Sequence, residues 1–210
     1  MITGELKNKI DQIWNAFWSG GIANPLTVVE QITYLLFLKR LDELETQREA
    51  KLNLGAKDVP ESIFGPEQQE FRWSRFKDLA PQQMFQLFTR PGGVFDFMKD
   101  LNGRSGSTYG KLMENATFMI SSAALLDKVV GMLDSIPMEN RDTKGDLYEY
   151  ILSSLASSGK NGQFRTPRHI IRMMIEMVEP KPTDLICDPA SGTCGFLMAA
   201  GEYLRERHSE

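Results

Sequence analysis

The sequence predicts a mainly helical N-terminal domain over residues 1–150, followed at 151–210 by the start of an α/β domain of Rossmann-like type. Three observations carry this. Apolar residues recur at helical spacing through most of the first 150 positions. Between about Pro137 and Gly162 that all-helical patterning gives way to an α/β pattern. Beyond it, the apolar run Leu185-Ile-Cys187, the small-residue loop Asp188-Pro-Ala-Ser-Gly-Thr-Cys-Gly195 and an apolar helix follow in order. A strand, tight loop and helix in that order place backbone donors at a helix N-terminus, on the ligand edge of a parallel sheet.

Taken in order, Leu6, Ile10, Ile13, Trp14 and Phe17 predict an amphipathic helix from Glu5 to Trp18, ended by Ser19-Gly-Gly21. Asn24-Pro25 supplies a cap and a first-turn proline for a long helix to about Gln47. Its apolar stripe is wide and predicts burial of most of the first half, so its aromatics read as core. Residues 48–79 lose periodicity, and Phe64, Phe71, Trp73 and Phe76 are spaced as anchors of an irregular segment. Phe71-Arg-Trp-Ser-Arg-Phe-Lys77 interleaves base and aromatic, which suits nucleobase stacking; Glu67 and Glu70 favour a loop pinned by Trp73 instead.

Further helices are predicted at Ala80–Phe88, Val94–Leu101, Lys111–Ile120, Ala123–Leu133 and Gly145–Ser158, with Asn102-Gly-Arg-Ser-Gly-Ser107 as a polar loop. Met113, Met119 and Met132 read as pliable core filling. Thr166-Pro167 reads as cap and first turn of a helix to Val178, with Ile170, Met174, Met177 and Val178 inward; Glu179-Pro-Lys-Pro182 stops it. Leu185-Ile-Cys187 predicts a short buried strand, with Cys187 as a small hydrophobe, and Phe196–Arg207 the helix after the loop.

Composition narrows the function classes. Hydrophobic residues at 41% and charged residues at 25% suit a globular chain. The formal charge of −4 argues against this chain gripping DNA alone, because phosphate neutralisation needs a basic surface. Two cysteines, Cys187 and Cys194, make neither a disulfide framework nor a metal set. No apolar window reaches membrane-spanning length and no leader pattern opens the sequence, so a cytoplasmic location is expected.

Loop geometry alone leaves nicotinamide dinucleotide, flavin and S-adenosylmethionine open as ligands. Gly162-Gln-Phe-Arg-Thr-Pro167, lying ahead of the first predicted strand, argues for the last, since dinucleotide folds have no use for it there. Together with His169-Ile-Ile-Arg-Met-Met, Pro180-Lys-Pro, Asp188-Pro-Ala-Ser-Gly-Thr-Cys-Gly-Phe-Leu and Asp142-Thr-Lys-Gly-Asp-Leu-Tyr-Glu-Tyr-Ile151, it resembles the DNA-methylating (HsdM) subunit of type I restriction–modification systems. Tyr34-Leu-Leu-Phe-Leu-Lys-Arg-Leu41 and Phe71-Arg-Trp-Ser74 extend the resemblance upstream.

That resemblance implies an S-adenosylmethionine-dependent adenine N6-methyltransferase. It implies that Gln163, Phe164, Arg165, Thr166, Pro167 and Arg168 fold over the cofactor, while Asp188 and the loop residues Ser191, Gly192 and Thr193 cradle it. The implied partners are a specificity subunit, shared by two modification subunits, a restriction subunit, and DNA in the assembled complex. Two residues depart from the family pattern: Ser191 stands where cysteine is common and Cys194 where glycine is common. The family's Asn-Pro-Pro-(Phe/Tyr) motif, which holds an extruded adenine, does not occur in the 210 residues, so no catalytic residue is assigned and an N-terminal piece of a longer protein is expected. Two other readings compete: a free-standing helical interaction module with a vestigial cofactor motif, and a dinucleotide oxidoreductase. The latter needs an acidic residue about 20 positions beyond Gly195.

Overall fold

A computed structural model describes residues 4–105, 113, 115–136, 147, 150–151, 166–192 and 194–208. The chain divides into two compact units, Met1–Lys160 and Asn161–Glu210. Among the described residues there is no strand.

In the first unit, helix α1 (Gly4–Ser19) buries Ile10, Ile13, Ala16 and Phe17, one stripe at the 3.6-residue period. Helix α2 (Pro25–Asn53) starts as expected: the Asn24 side chain accepts from the Leu26 N–H at 3.0 Å, with Pro25 in the first turn. It runs to Asn53, about two turns past the predicted end, and within that extension Glu49 pairs with Arg72. The Glu45 carboxylate is buried and accepts from Ser62 Oγ (2.7 Å), Ile63 N (2.9 Å) and Arg48 Nε (2.9 Å). Those bonds hold an otherwise irregular stretch whose Phe64 ring is 1% exposed. A 3-10 turn (Pro66–Phe71) and the short α3 (Trp73–Phe76) follow.

Helices α4 (Pro81–Thr89) and α5 (Val94–Ser105) contact each other, and α4 also contacts α6 (Ala123–Asp134), which in turn contacts α1. An aromatic layer fills the space beside them: Phe85, Phe88 and Phe95 all lie within 6 Å of the Phe118 ring, centroid to centroid. At α6 the sequence reading holds closely. Ser122 caps it by accepting from the Leu125 N–H at 3.3 Å, and Leu125, Leu126, Val129, Val130 and Leu133 are all buried.

Two expectations in this unit fail. The helix predicted at 111–120 is not continuous: residues 116–122 are non-helical. The buried Gln31 amide explains why, since it donates to the Thr117 carbonyl (2.9 Å) and accepts from the Met119 N–H (2.9 Å). One side chain of α2 thus satisfies backbone groups that a helix would have satisfied internally. Met119 is consequently 52% exposed rather than core, whereas Met113 is buried. Secondly, Asn102 to Ser105 continue α5 instead of opening a loop. Gly106 and Ser107 lie outside the described residues. So do most of 145–158, within which Leu147, Tyr150 and Ile151 are helical, with Leu147 and Ile151 buried.

The interleaved segment at 71–77 is structural. Phe71, Trp73 and Phe76 are 5%, 3% and 0% exposed, and the Arg72 guanidinium is turned inward onto Asp42 and Glu49. Lys77 Nζ pairs with Asp134 Oδ2 at 2.9 Å, and Trp73 Nε1 donates to Asp134 Oδ1 at 2.7 Å. From α2, the buried Lys39 ammonium caps α6, donating to the carbonyls of Leu133 (2.9 Å), Asp134 (3.3 Å) and Ile136 (3.0 Å). A cation at a helix C-terminus meets the negative end of its dipole.

Glu45 and Asp134 give this unit an acid limit. Burial pushes both carboxyls up, but the donors around them outweigh it, and each lies below its ordinary value of 4.5 or 3.8. A carboxyl lowered by folding contributes stability above its unfolded pKa and loses it as pH falls through the folded one. Urea midpoints are therefore expected to hold from about pH 7 to 5 and fall below about pH 4. Glu45→Gln and Asp134→Asn should each flatten the acid limb; an unchanged limb in both would refute the assignment.

Candidate functional site: the loop between two helices of the second unit

In the second unit, α7 (Arg168–Val178) and α8 (Gly195–His208) pack on each other. Pro167, not Thr166, occupies the cap position of α7. Its carbonyl accepts from the Ile170 and Ile171 N–H groups at 3.0 and 3.1 Å, and no side chain caps the helix. Glu179 ends α7 in the left-handed conformation (φ 50°), donating its N–H to the Ile175 carbonyl at 2.9 Å. Pro180 then rules out a further helical N–H, and Asp184 closes a turn by accepting from the Lys181 N–H at 2.8 Å.

The predicted buried strand at 184–187 is not formed. Leu185 is 98% and Ile186 40% exposed, and Cys187, expected as a buried hydrophobe, is exposed too. A strand needs a partner for its N–H and C=O groups, and no neighbouring strand exists among the described residues. The same holds for the apolar face of α7. Ile171 is buried, whereas Met174, Met177 and Val178, expected inward, are 43%, 76% and 72% exposed.

The loop itself is ordered by its own bonds. Asp188 is half-buried, and its Oδ1 accepts from the Ala190 N–H at 3.0 Å. The Ser191 carbonyl accepts from the Cys194 N–H at 2.6 Å, and the Cys194 carbonyl receives the Met198 N–H at 2.9 Å as α8 begins. Gly192 (φ 50°) and Cys194 (φ 60°) both turn through the left-handed region. At Gly195 the fit is close for a separate reason: a Cβ there would sit 3.2 Å from Ile171 Cδ1, which would have to shift by a few tenths of an ångström. That approach brings the first turn of α7 against the first residue of α8. The opening N–H groups of a helix have no intrahelical partner, so the arrangement presents donors suited to an anionic group.

Of the residues expected at the cofactor, Asp188, Ser191 and Gly192 share this loop, and Thr166, Pro167 and Arg168 are exposed at the start of α7. No hydrogen bond among the described residues joins the two sets. Gln163, Phe164, Arg165 and Thr193 lie outside the described residues. No group of His, Cys, Asp and Glu among the described residues is placed to hold a metal ion.

Cys194 is one of the two departures from the family pattern, and its φ gives that departure a physical cost. A Cβ in the left-handed region costs about 1–2 kcal/mol, partly offset by the extra backbone entropy glycine loses on folding. Cys194→Gly is expected to stabilise the chain by up to about 1 kcal/mol, read as a raised urea midpoint. A lowered midpoint would mean that the thiol makes a contact worth more than the strain.

Comparison with known proteins agrees with the resemblance. A family model for the HsdM N-terminal domain matches residues 6–133, and one for N-6 DNA methylase matches residues 139–210. The methylase subunit of the type I restriction enzyme StySPI from Salmonella potsdam is 27% identical over the whole chain; that of EcoKI from Escherichia coli K12 is 26% identical, also over the whole chain. The EcoEI methylase subunit of Escherichia coli is 30% identical over 85% of the chain. The chain spans 37% of the length of each of these curated relatives. Among solved structures, a modification subunit assigned to a type I restriction enzyme of Vibrio vulnificus YJ016 gives a TM-score of 0.73 at 24% identity, covering 98% of this chain and 46% of that one. A chain from work on complex assembly and conformational transition of a type I R-M system gives 0.63 at 24% identity, covering 97% and 42%. These two likenesses are likenesses of fold.

Proposed function

The chain belongs to the HsdM N-terminal domain family, and from that premise we propose that it is the N-terminal part of a type I modification subunit, a DNA adenine N6-methyltransferase using S-adenosylmethionine. What carries the reading is order: the helical family match is followed directly by the N-6 DNA methylase match, which runs through the loop at 188–195. The helical domain gives way to the opening of the catalytic domain near residue 150, between the start of the methylase match at 139 and the end of the first unit at Lys160. A free-standing helical module would have no need of that second match.

The loop fits such a cofactor in kind. S-adenosylmethionine carries a carboxylate and an ammonium on its methionine end, and when bound it supplies the activated methyl group. The first turn of α8 offers N–H groups to the carboxylate. Asp188 holds the loop through Ala190 and would supply the negative charge that an ammonium needs. The resemblance would assign Ser191, Gly192 and Thr193 to the wall of the cofactor site and Gln163 to Arg168, Phe164 among them, to its adenosine side. DNA, a specificity subunit shared by two modification subunits, and a restriction subunit complete the assembly, in the cytoplasm. The net charge of −4 agrees with DNA being gripped by the assembly rather than by this chain alone.

Labelled S-adenosylmethionine and mixed DNA test this. The 210-residue chain alone should leave DNA unlabelled, since it contains no Asn-Pro-Pro motif. The chain continued to its relatives' length and joined to its specificity subunit should label adenine N6. Labelling by the 210 residues alone, or none by the assembly, would defeat the reading.

A further inference from the structure

We draw no further inference here: the strongest candidate, the exposed apolar face of α7 in the second unit (Met173, Met174, Met177 and Val178, 43–76% exposed), carries nothing because nothing in the structure shows what covers it.

Discussion

Arg72→Met is expected to cost the chain about 3 kcal/mol of stability, the low end of what removing one partner of a buried ion pair costs. Arg72 is 7% exposed and Asp42 5%. Its Nε donates to Asp42 Oδ1 at 2.5 Å, its Nη1 and Nη2 reach Glu49 at 2.6 and 3.2 Å, and Nη2 reaches Thr46 Oγ1 at 3.1 Å. Methionine fills much of the space and strands the Asp42 carboxylate in the core. The Ser74 N–H, 2.8 Å from Asp42 Oδ2, still partners it, which is why the low end applies. For a chain of this size the loss corresponds to a melting temperature lowered by roughly 6–12 °C. Adding Asp42→Asn should recover part of it, because a neutral amide still accepts from Ser74 without a buried charge. Glu49 is half in solvent, and Glu49→Gln should cost less than about 1 kcal/mol. Thermal melts of the four proteins decide. A mild Arg72→Met, or a double variant worse than the single, would show that the pair is not what fixes the 66–76 segment to α2.

These residues also mark where the sequence stopped being legible. Apolar periodicity placed α1, α2, α4 and α6, since repeating burial on one face is a local property. Gln31, Lys39, Asp42, Glu45 and Arg72 carry no apolar periodicity, yet they are buried polar groups that join elements far apart in the chain. Gln31 reaches across 86 positions to Thr117, and Lys39 across 94 to Leu133. No local pattern announces such a bond. In the second unit the reverse happened. The apolar run at 185–187 and the inward face of α7 were legible as burial, but burial needs a partner surface, and the described residues do not provide one. The loop at 188–195 was legible because small residues and a helix start are local. That Asp188 turns back onto Ala190, and that Cys194 adopts a left-handed φ, depends on the loop's backbone path, which no residue type dictates.

Binding of S-adenosylmethionine by the 210-residue chain alone is expected to be weaker than about 1 mM, whereas the chain continued to its relatives' length should bind at micromolar levels. The difference follows from what the loop can supply. A carboxylate at an exposed helix N-terminus gains about 0.3–1 kcal/mol from the dipole. A ligand held at about 10 μM needs roughly 7 kcal/mol, and even 1 mM needs about 4. The remainder must come from enclosing the adenine and ribose, yet Leu185, Ile186, Gly192 and Cys194, which flank and form the loop, are exposed to solvent. A ligand resting there would keep most of its own surface wet. In the extended chain, Asp188→Ala removes the acceptor that fixes Ala190 and, on the proposed reading, a charge beside the ligand ammonium. A charge-assisted bond is worth about 1.5–3 kcal/mol, and partial exposure of Asp188 sets the expected loss near the lower figure, roughly tenfold in Kd. Calorimetric titration of the 210-residue chain, the extended chain and its Asp188→Ala variant tests all three values. Micromolar binding by the 210 residues would mean that these residues already enclose the ligand, and an indifferent Asp188→Ala would remove this loop from the cofactor site.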